Sequence, residues 1–164
     1  MRLRLFFVAA LLVVIIASCR RTDVYNEYTD LPHTGWHQDT TVRFQVSVSD
    51  TVSWQNILIN IRHTSQYPYQ NLWLFVHSAS PSGRIQRDTI ACYLADNHGR
   101  WLGTRYPSTF EMPVLYMQHI QFPENGLYQF EIYQAMRDSV VKGISSIGLQ
   151  VSPIEEEEQQ DGQE

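Results

Sequence analysis

The chain has little of what a disulfide-stapled, membrane-spanning or nucleic-acid-binding protein needs. It carries two cysteines in 164 residues, Cys19 and Cys92, too few for a disulfide framework. Its longest apolar run, Leu5 to Ala17, covers about 13 residues, whereas a helix needs ~20 to cross a hydrocarbon core. A permanent transmembrane helix is therefore the weaker reading of that run. Lys142 is the only lysine, and no basic cluster persists through the body of the chain, which argues against a nucleic-acid partner. No Gly-x-Ser-x-Gly elbow is present, so the usual serine-hydrolase signature is missing. Sustained helical periodicity is almost absent as well.

What is present begins at the first residue. Arg2 and Arg4 precede the apolar run, and Ile16-Ala17-Ser18-Cys19 follows it. Charge, then a short hydrophobic stretch, then small residues is the build of a cleavable export signal. The ending resembles the bacterial lipobox: a branched aliphatic, two small residues, then a cysteine. A thiol is the good soft nucleophile there, so Cys19 is expected to take diacylglycerol and to become the acylated, palmitate-bearing first residue of the mature chain. Several acyl chains at ~0.8 kcal/mol per buried methylene hold a protein at a bilayer almost irreversibly. An ordinary secretory signal with a coincidental cysteine is the alternative. Arg20 and Arg21 follow without an aspartate, which favours the outer membrane over retention at the inner one. Basic residues there tilt the expectation toward its periplasmic face.

Charge is distributed unevenly. Of 17 acidic residues, Glu155 to Glu158, Asp161 and Glu164 fall in the last ten positions. The acidity belongs to a tail, expected from residue 153 to 164, that cannot bury apolar surface and should be disordered. Residues 19–40 mix polar residues with Pro32 and Gly35 and read as a lipidated tether. From residue 41 to 152 the period is two. Val42, Phe44, Val46 and Val48 alternate with polar residues, and Ile57, Ile59 and Ile61 repeat the pattern. Further strands are expected at 71–77, 85–94, 114–122, 127–134 and around 147–151. Ser80-Pro81-Ser82-Gly83, Asp96-Asn97-His98-Gly99 and Pro123-Glu124-Asn125-Gly126 mark the reversals. Residues 100–113 read as a long loop and 135–142 as a loop or one or two helical turns. About seven short strands predict an all-β, antiparallel β-sandwich, jelly-roll-like, with a closed barrel as the main alternative.

Candidate chemistry is sparse. His33 and His37 are four apart, but Pro32 and Gly35 argue against the helix that would turn both to one metal, and His77, His98 and His119 lie in separate segments. No metal or cofactor is expected. Cys92 sits inside a strand, where a buried, inert thiol is the expectation. No motif surrounds any carboxylate, so catalysis is not expected either. Aromatics near two loops are the more informative feature: Tyr67, Tyr69, Trp73, Trp101 and Tyr106, with Arg62, Arg100 and Arg105 close in sequence. Loop aromatics anchor protein partners or stack on sugar rings. Trp101, Tyr106, Arg105, Tyr67 and Tyr69 are the candidate binding residues, while Trp73, inside a strand, is expected in the core.

Several segments in order resemble the GldH family of gliding motility lipoproteins. They are Trp36, Phe44 to Asp50 (FQVSVSD), Ile59 to His63 (INIRH) and Tyr67 to Leu74 (YPYQNLWL). Arg100 to Gly103 (RWLG), Phe122 to Phe130 (FPENGLYQF), Gln134 to Arg137 (QAMR), Gly143-Ile144 and Ile147-Gly148-Leu149 complete the set. The resemblance implies a non-catalytic envelope lipoprotein, accessory to a motility or secretion assembly and acting through envelope protein partners. It implies no enzymatic activity and no cofactor, and it does not imply that the source organism glides. A carbohydrate- or peptidoglycan-binding lipoprotein is the rival reading.

Overall fold

The two-residue period becomes two antiparallel sheets packed face to face. The computed structural model describes residues 24–154, so the expected signal, Cys19 and the run from Glu155 onward lie outside the described residues. Among the described residues eleven strands follow one another: β1 (Tyr25–Asp30), β2 (Trp36–His37), β3 (Val42–Val48), β4 (Gln55–His63), β5 (Asn71–Ala79), β6 (Ile85–Tyr93), β7 (Thr104–Arg105), β8 (Phe110–Ile120), β9 (Gly126–Gln134), β10 (Val140–Val141) and β11 (Ile144–Pro153). One sheet has the order β1-β11-β4-β8-β7, the other β3-β9-β5-β6, and β10 pairs β2 in a separate ribbon.

Setting the two-residue strands aside leaves eight. The first pairs the last (β1–β11), the second the seventh (β3–β9), the third the sixth (β4–β8) and the fourth the fifth (β5–β6), all antiparallel. That nested pairing, split over two sheets, is the jelly-roll arrangement. The facing interiors are the alternate residues read from the sequence. Ile57, Ile59 and Ile61 of β4 lie beside Ile147, Leu149 and Val151 of β11. Opposite them stand Phe44 and Val46 of β3, Phe130 and Ile132 of β9, and Leu72, Leu74 and Val76 of β5. Burying one such side chain is worth ~1.5–3 kcal/mol, so a one-residue slip that turned a row outward would cost far more than any turn preference.

Three expectations need correction. Residues 24–40 are not tether: Tyr25–Asp30 forms β1, registered residue by residue on β11 from Tyr25↔Val151 to Asp30↔Ser146. Further on, Trp36 is fully buried, its indole Nε1–H donating to the Thr40 carbonyl at 2.8 Å. An edge strand is exposed on much of its surface, so β1 shows no clean alternation. The loop expected over 100–113 contains β7 and the first residues of β8, whose pairing with β4 starts at His63↔Phe110. For residues 135–142 the loop alternative holds over the helical one: they bend and then form β10. Pro153, expected in the tail, closes β11.

Candidate functional site

The sandwich has two distinct ends. At the proximal end the described chain begins, with the Val24 N–H donating to the Val151 carbonyl at 2.9 Å, and β11 finishes opposite Gln55. The loop from β3 to β4 lies at this end. So does the β5–β6 turn, since a Cβ on Gly126, the residue paired with Val48, would stand 2.8 Å from the Pro81 ring. The start of β5, the end of β6 and the end of β9 therefore lie at the distal end.

A groove of about 470 Å³ opens there. Trp73 lines it because Leu72 and Leu74 point inward, which turns Trp73 to the outer face of β5. The tryptophan expected in the core is in fact 42% exposed. The facing wall is the bend that follows β9, and the buried Gln134 side chain splints it. Its Nε2 donates to the Asp138 carbonyl and its Oε1 accepts from the Met136 N–H, both at 2.8 Å. The wall is tied to β5 by the Ala135 N–H donating to the Trp73 carbonyl at 2.8 Å and by the Trp73 N–H donating to Met136 Sδ at 3.3 Å. Tyr69 closes one side, its hydroxyl donating to Asp138 Oδ2 at 2.5 Å. That bond raises the Tyr69 phenol above its ordinary range and keeps it protonated. Arg137 is exposed and forms no ion pair among the described residues. Phe75 and the 65%-exposed Tyr93 extend the aromatic surface beyond the groove; opposite Trp73 and Phe75 on β6 stand only Ala91 and Thr89.

The residues nominated from sequence divide. Tyr67 is buried, donating its hydroxyl to the Asn71 carbonyl at 2.8 Å. Its loop is pinned by Gly143 (φ 88°), where a Cβ would stand 2.7 Å from the Tyr67 backbone, and by the Thr64 N–H donating to the Gly143 carbonyl at 2.8 Å. Trp101 is half-buried and joins a ring cluster that caps the core, 4.6 Å from the His63 ring and 6.4 Å from Tyr67. Tyr67 in turn lies 5.8 Å from Tyr69, so these three converge while only Tyr69 lines the groove. Arg105 ends β7 and Tyr106 follows it, both exposed, the Arg105 guanidinium 5.7 Å from the Phe110 ring. Arg62 is engaged with Glu111 and lies 3.9 Å over the Tyr28 ring, and Arg100 pairs with Asp96 at 2.7 Å. The period-two rule applied to the outward residues of β5 points to Trp73 and Phe75; Met136 and Arg137 are marked only as part of the Gln134 to Arg137 segment of the family resemblance, which assigns them no role.

His37 lies in β2, where its Nδ1 accepts from the Asp39 N–H at 3.2 Å. Among the described residues no three His, Cys, Asp or Glu side chains are grouped to hold a metal. Cys92 is buried, and desolvation pushes its thiol up to about 12, which keeps it protonated and poorly nucleophilic. The distal groove offers aromatic surface, a sulfur and a cation that forms no ion pair among the described residues: chemistry for recognition.

Known proteins align over nearly the whole chain. A gliding motility lipoprotein GldH homolog of Christiangramia forsetii is 30% identical over 152 residues, which span 88% of this chain and 93% of that protein. The gliding motility lipoprotein GldH of Flavobacterium johnsoniae is 28% identical over 158 residues, 92% of this chain and 98% of that one. Among solved structures, a family GH115 4-O-methyl-alpha-glucuronidase overlaps 84% of this chain and 18% of its own at 10% identity with a TM-score of 0.44, too loose a match to carry a site or an activity across. The GldH lipoprotein family profile matches residues 23–151, from β1 to all but the last two residues of β11, and the chain therefore belongs to the GldH lipoprotein family.

Proposed function

We propose that this chain is a lipid-anchored, non-catalytic accessory protein of the bacterial envelope that binds protein partners of a gliding motility or secretion assembly through its distal groove. Acylated Cys19 holds it at the bilayer, at the outer membrane on the periplasmic side. The observation that carries the reading is the exposed Trp73, set between Tyr69 and Met136 at the end of the sandwich away from the chain's start. Large aromatics and arginine in a pre-formed recess are the residues that dominate protein–protein binding energy. The groove also meets a partner already organised, because Gln134 and Tyr69 fix its far wall. Pre-organisation of that kind lowers the cost of binding.

The glycan reading draws on the same tryptophan, which stands beside Asn71 and Arg137 as a stacking platform with donors. Protein is favoured because the groove's carboxylate is already committed to Tyr69, and because the aromatic surface runs on through Phe75 and Tyr93 instead of ending as a single platform. The test is photo-crosslinking in cells with benzoylphenylalanine at position 93. The expected adduct joins this chain to an envelope protein, and Trp73→Ala should weaken that pairing by about 2 kcal/mol, about 30-fold, at an unchanged melting temperature. Adducts insensitive to Trp73→Ala would reject the groove, and adducts with glycan alone would establish the rival reading.

A further inference from the structure

The proximal end carries apolar side chains that the core does not use. Val52, at the tip of the β3–β4 loop, is 77% exposed, and Trp54 is 38% exposed. Both are held in place. The Asp50 carboxylate accepts from the Val52 and Ser53 N–H groups at 2.8 and 3.0 Å. Trp54 lies edge-on to the His119 ring at 4.7 Å, and its carbonyl accepts from the Ile154 N–H at 2.9 Å. His119 itself sits in the left-handed region (φ 55°), with its N–H donating to Asn56 Oδ1 at 3.0 Å. A bent strand end thus supports an exposed tryptophan. Exposed Val24 lies on the adjacent strands' end, bonded to Val151.

The length of chain ahead of Val24 decides what meets this surface. Five peptide steps separate Cys19 from Val24, and at no more than ~3.6 Å each they reach about 18 Å. A headgroup layer is roughly 5–8 Å deep on each side of the hydrocarbon, so even a fully extended linker keeps the proximal end within about 10–13 Å of the headgroup surface, near enough for Val52 and Trp54 to come to rest on it. Tryptophan is the side chain that settles at such a boundary, with its ring body apolar and its indole N–H wet.

We infer that the proximal end, through Val52 and Trp54, rests on the lipid headgroups of the membrane that holds Cys19, and that the distal groove is thereby pointed away from it. The inference rests on the lipid-anchor reading above. The matching surface is zwitterionic. Arg20 and Arg21 beside Cys19 are offset by Asp23, by Asp50 at this end and by the Glu155–Glu158 run that continues the chain from Ile154, so no net basic charge selects anionic headgroups.

The test uses the full mature lipoprotein reconstituted into phosphatidylcholine and phosphatidylethanolamine vesicles, with a nitrobenzoxadiazole label on Val52→Cys or, as the comparison, on Tyr93→Cys. Cys92 is buried and Cys19 carries lipid, so the label goes to the introduced thiol. The label at position 52 should shift to the blue and be quenched several-fold more than the label at position 93 by nitroxide lipids. Equal quenching on a chain whose intact mass shows acylated Cys19 overturns the orientation and leaves the anchor standing. A mature chain without acyl groups overturns the anchor, and the orientation with it. Quenching that grows when phosphatidylglycerol is added overturns the zwitterionic assignment.

Discussion

At the scale of single residues, His63 is the group with a measurable pH signature. It is fully buried among Trp101, Tyr67 and the Phe110 ring stacked on it at 5.5 Å. Its Nδ1 bonds to the Thr64 carbonyl at 3.1 Å, while Nε2 has no hydrogen-bond partner among the described residues. Desolvation lowers its pKa below the ordinary 6.5. The folded state therefore binds its proton later than the unfolded state as pH falls. The stability is present above about 6.5 and is lost as pH falls from there through the lowered folded value. His63→Phe should flatten this slope in thermal melts between pH 7 and 5. It should also raise the melting temperature at the acid end, because it removes a buried unpaired nitrogen worth about 1–3 kcal/mol. A slope unchanged by His63→Phe would place the titration elsewhere. Trp73 shows how one residue is legible and misread together: the alternation of Leu72, Leu74 and Val76 turns it outward, while its composition and strand position suggest the core.

At the scale of strands, Gly148 explains why β1 pairs where it does. A Cβ there would stand 2.6 Å from the Tyr28 ring. Glycine lets that ring lie flat on β11, with the Arg62 guanidinium 3.9 Å above it and Glu111 accepting from its hydroxyl at 3.2 Å. Alanine normally gains about 0.5–1 kcal/mol over glycine in a strand. Gly148→Ala is therefore expected to destabilise the chain that has Tyr28 and to stabilise Tyr28→Ala, a change of sign that denaturant melts of the four-member cycle would read. A gain in both backgrounds would show that the stacked ring contributes nothing. Strands β3 and β9 were legible because one face of each is buried and the other largely wet, and β4 and β11 because their apolar side chains still alternate with polar or small ones although their outer faces are half-buried or buried. Strand β1 was not, since an edge strand with one neighbour shows its alternation only where Tyr25 meets Phe44, ring to ring at 6.4 Å.

At the scale of the molecule, the jelly roll joins its first strand to its last, so residues 25–30, inside the expected tether, complete the sheet. A chain starting at Leu31 should melt lower than one starting at Val24. It should also self-associate on size exclusion, because β11 would become a long unpaired edge. Equal melting of the two would return residues 24–30 to the tether. The same closure sets the chain's start and the groove at opposite ends.

The sequence by itself determined the all-β class, the inward rows of the core, the turns between strands and the family, because burial on one face of a strand and the geometry of a reversal are written in local spacing. Only the tertiary structure decided that Trp73, Tyr69 and Met136 meet, that Tyr67 and Trp101 cap the core, and that the groove lies far from the chain's start. Those outcomes depend on which strands become neighbours. That choice sums many weak contacts between residues remote in the chain, so no local pattern records it.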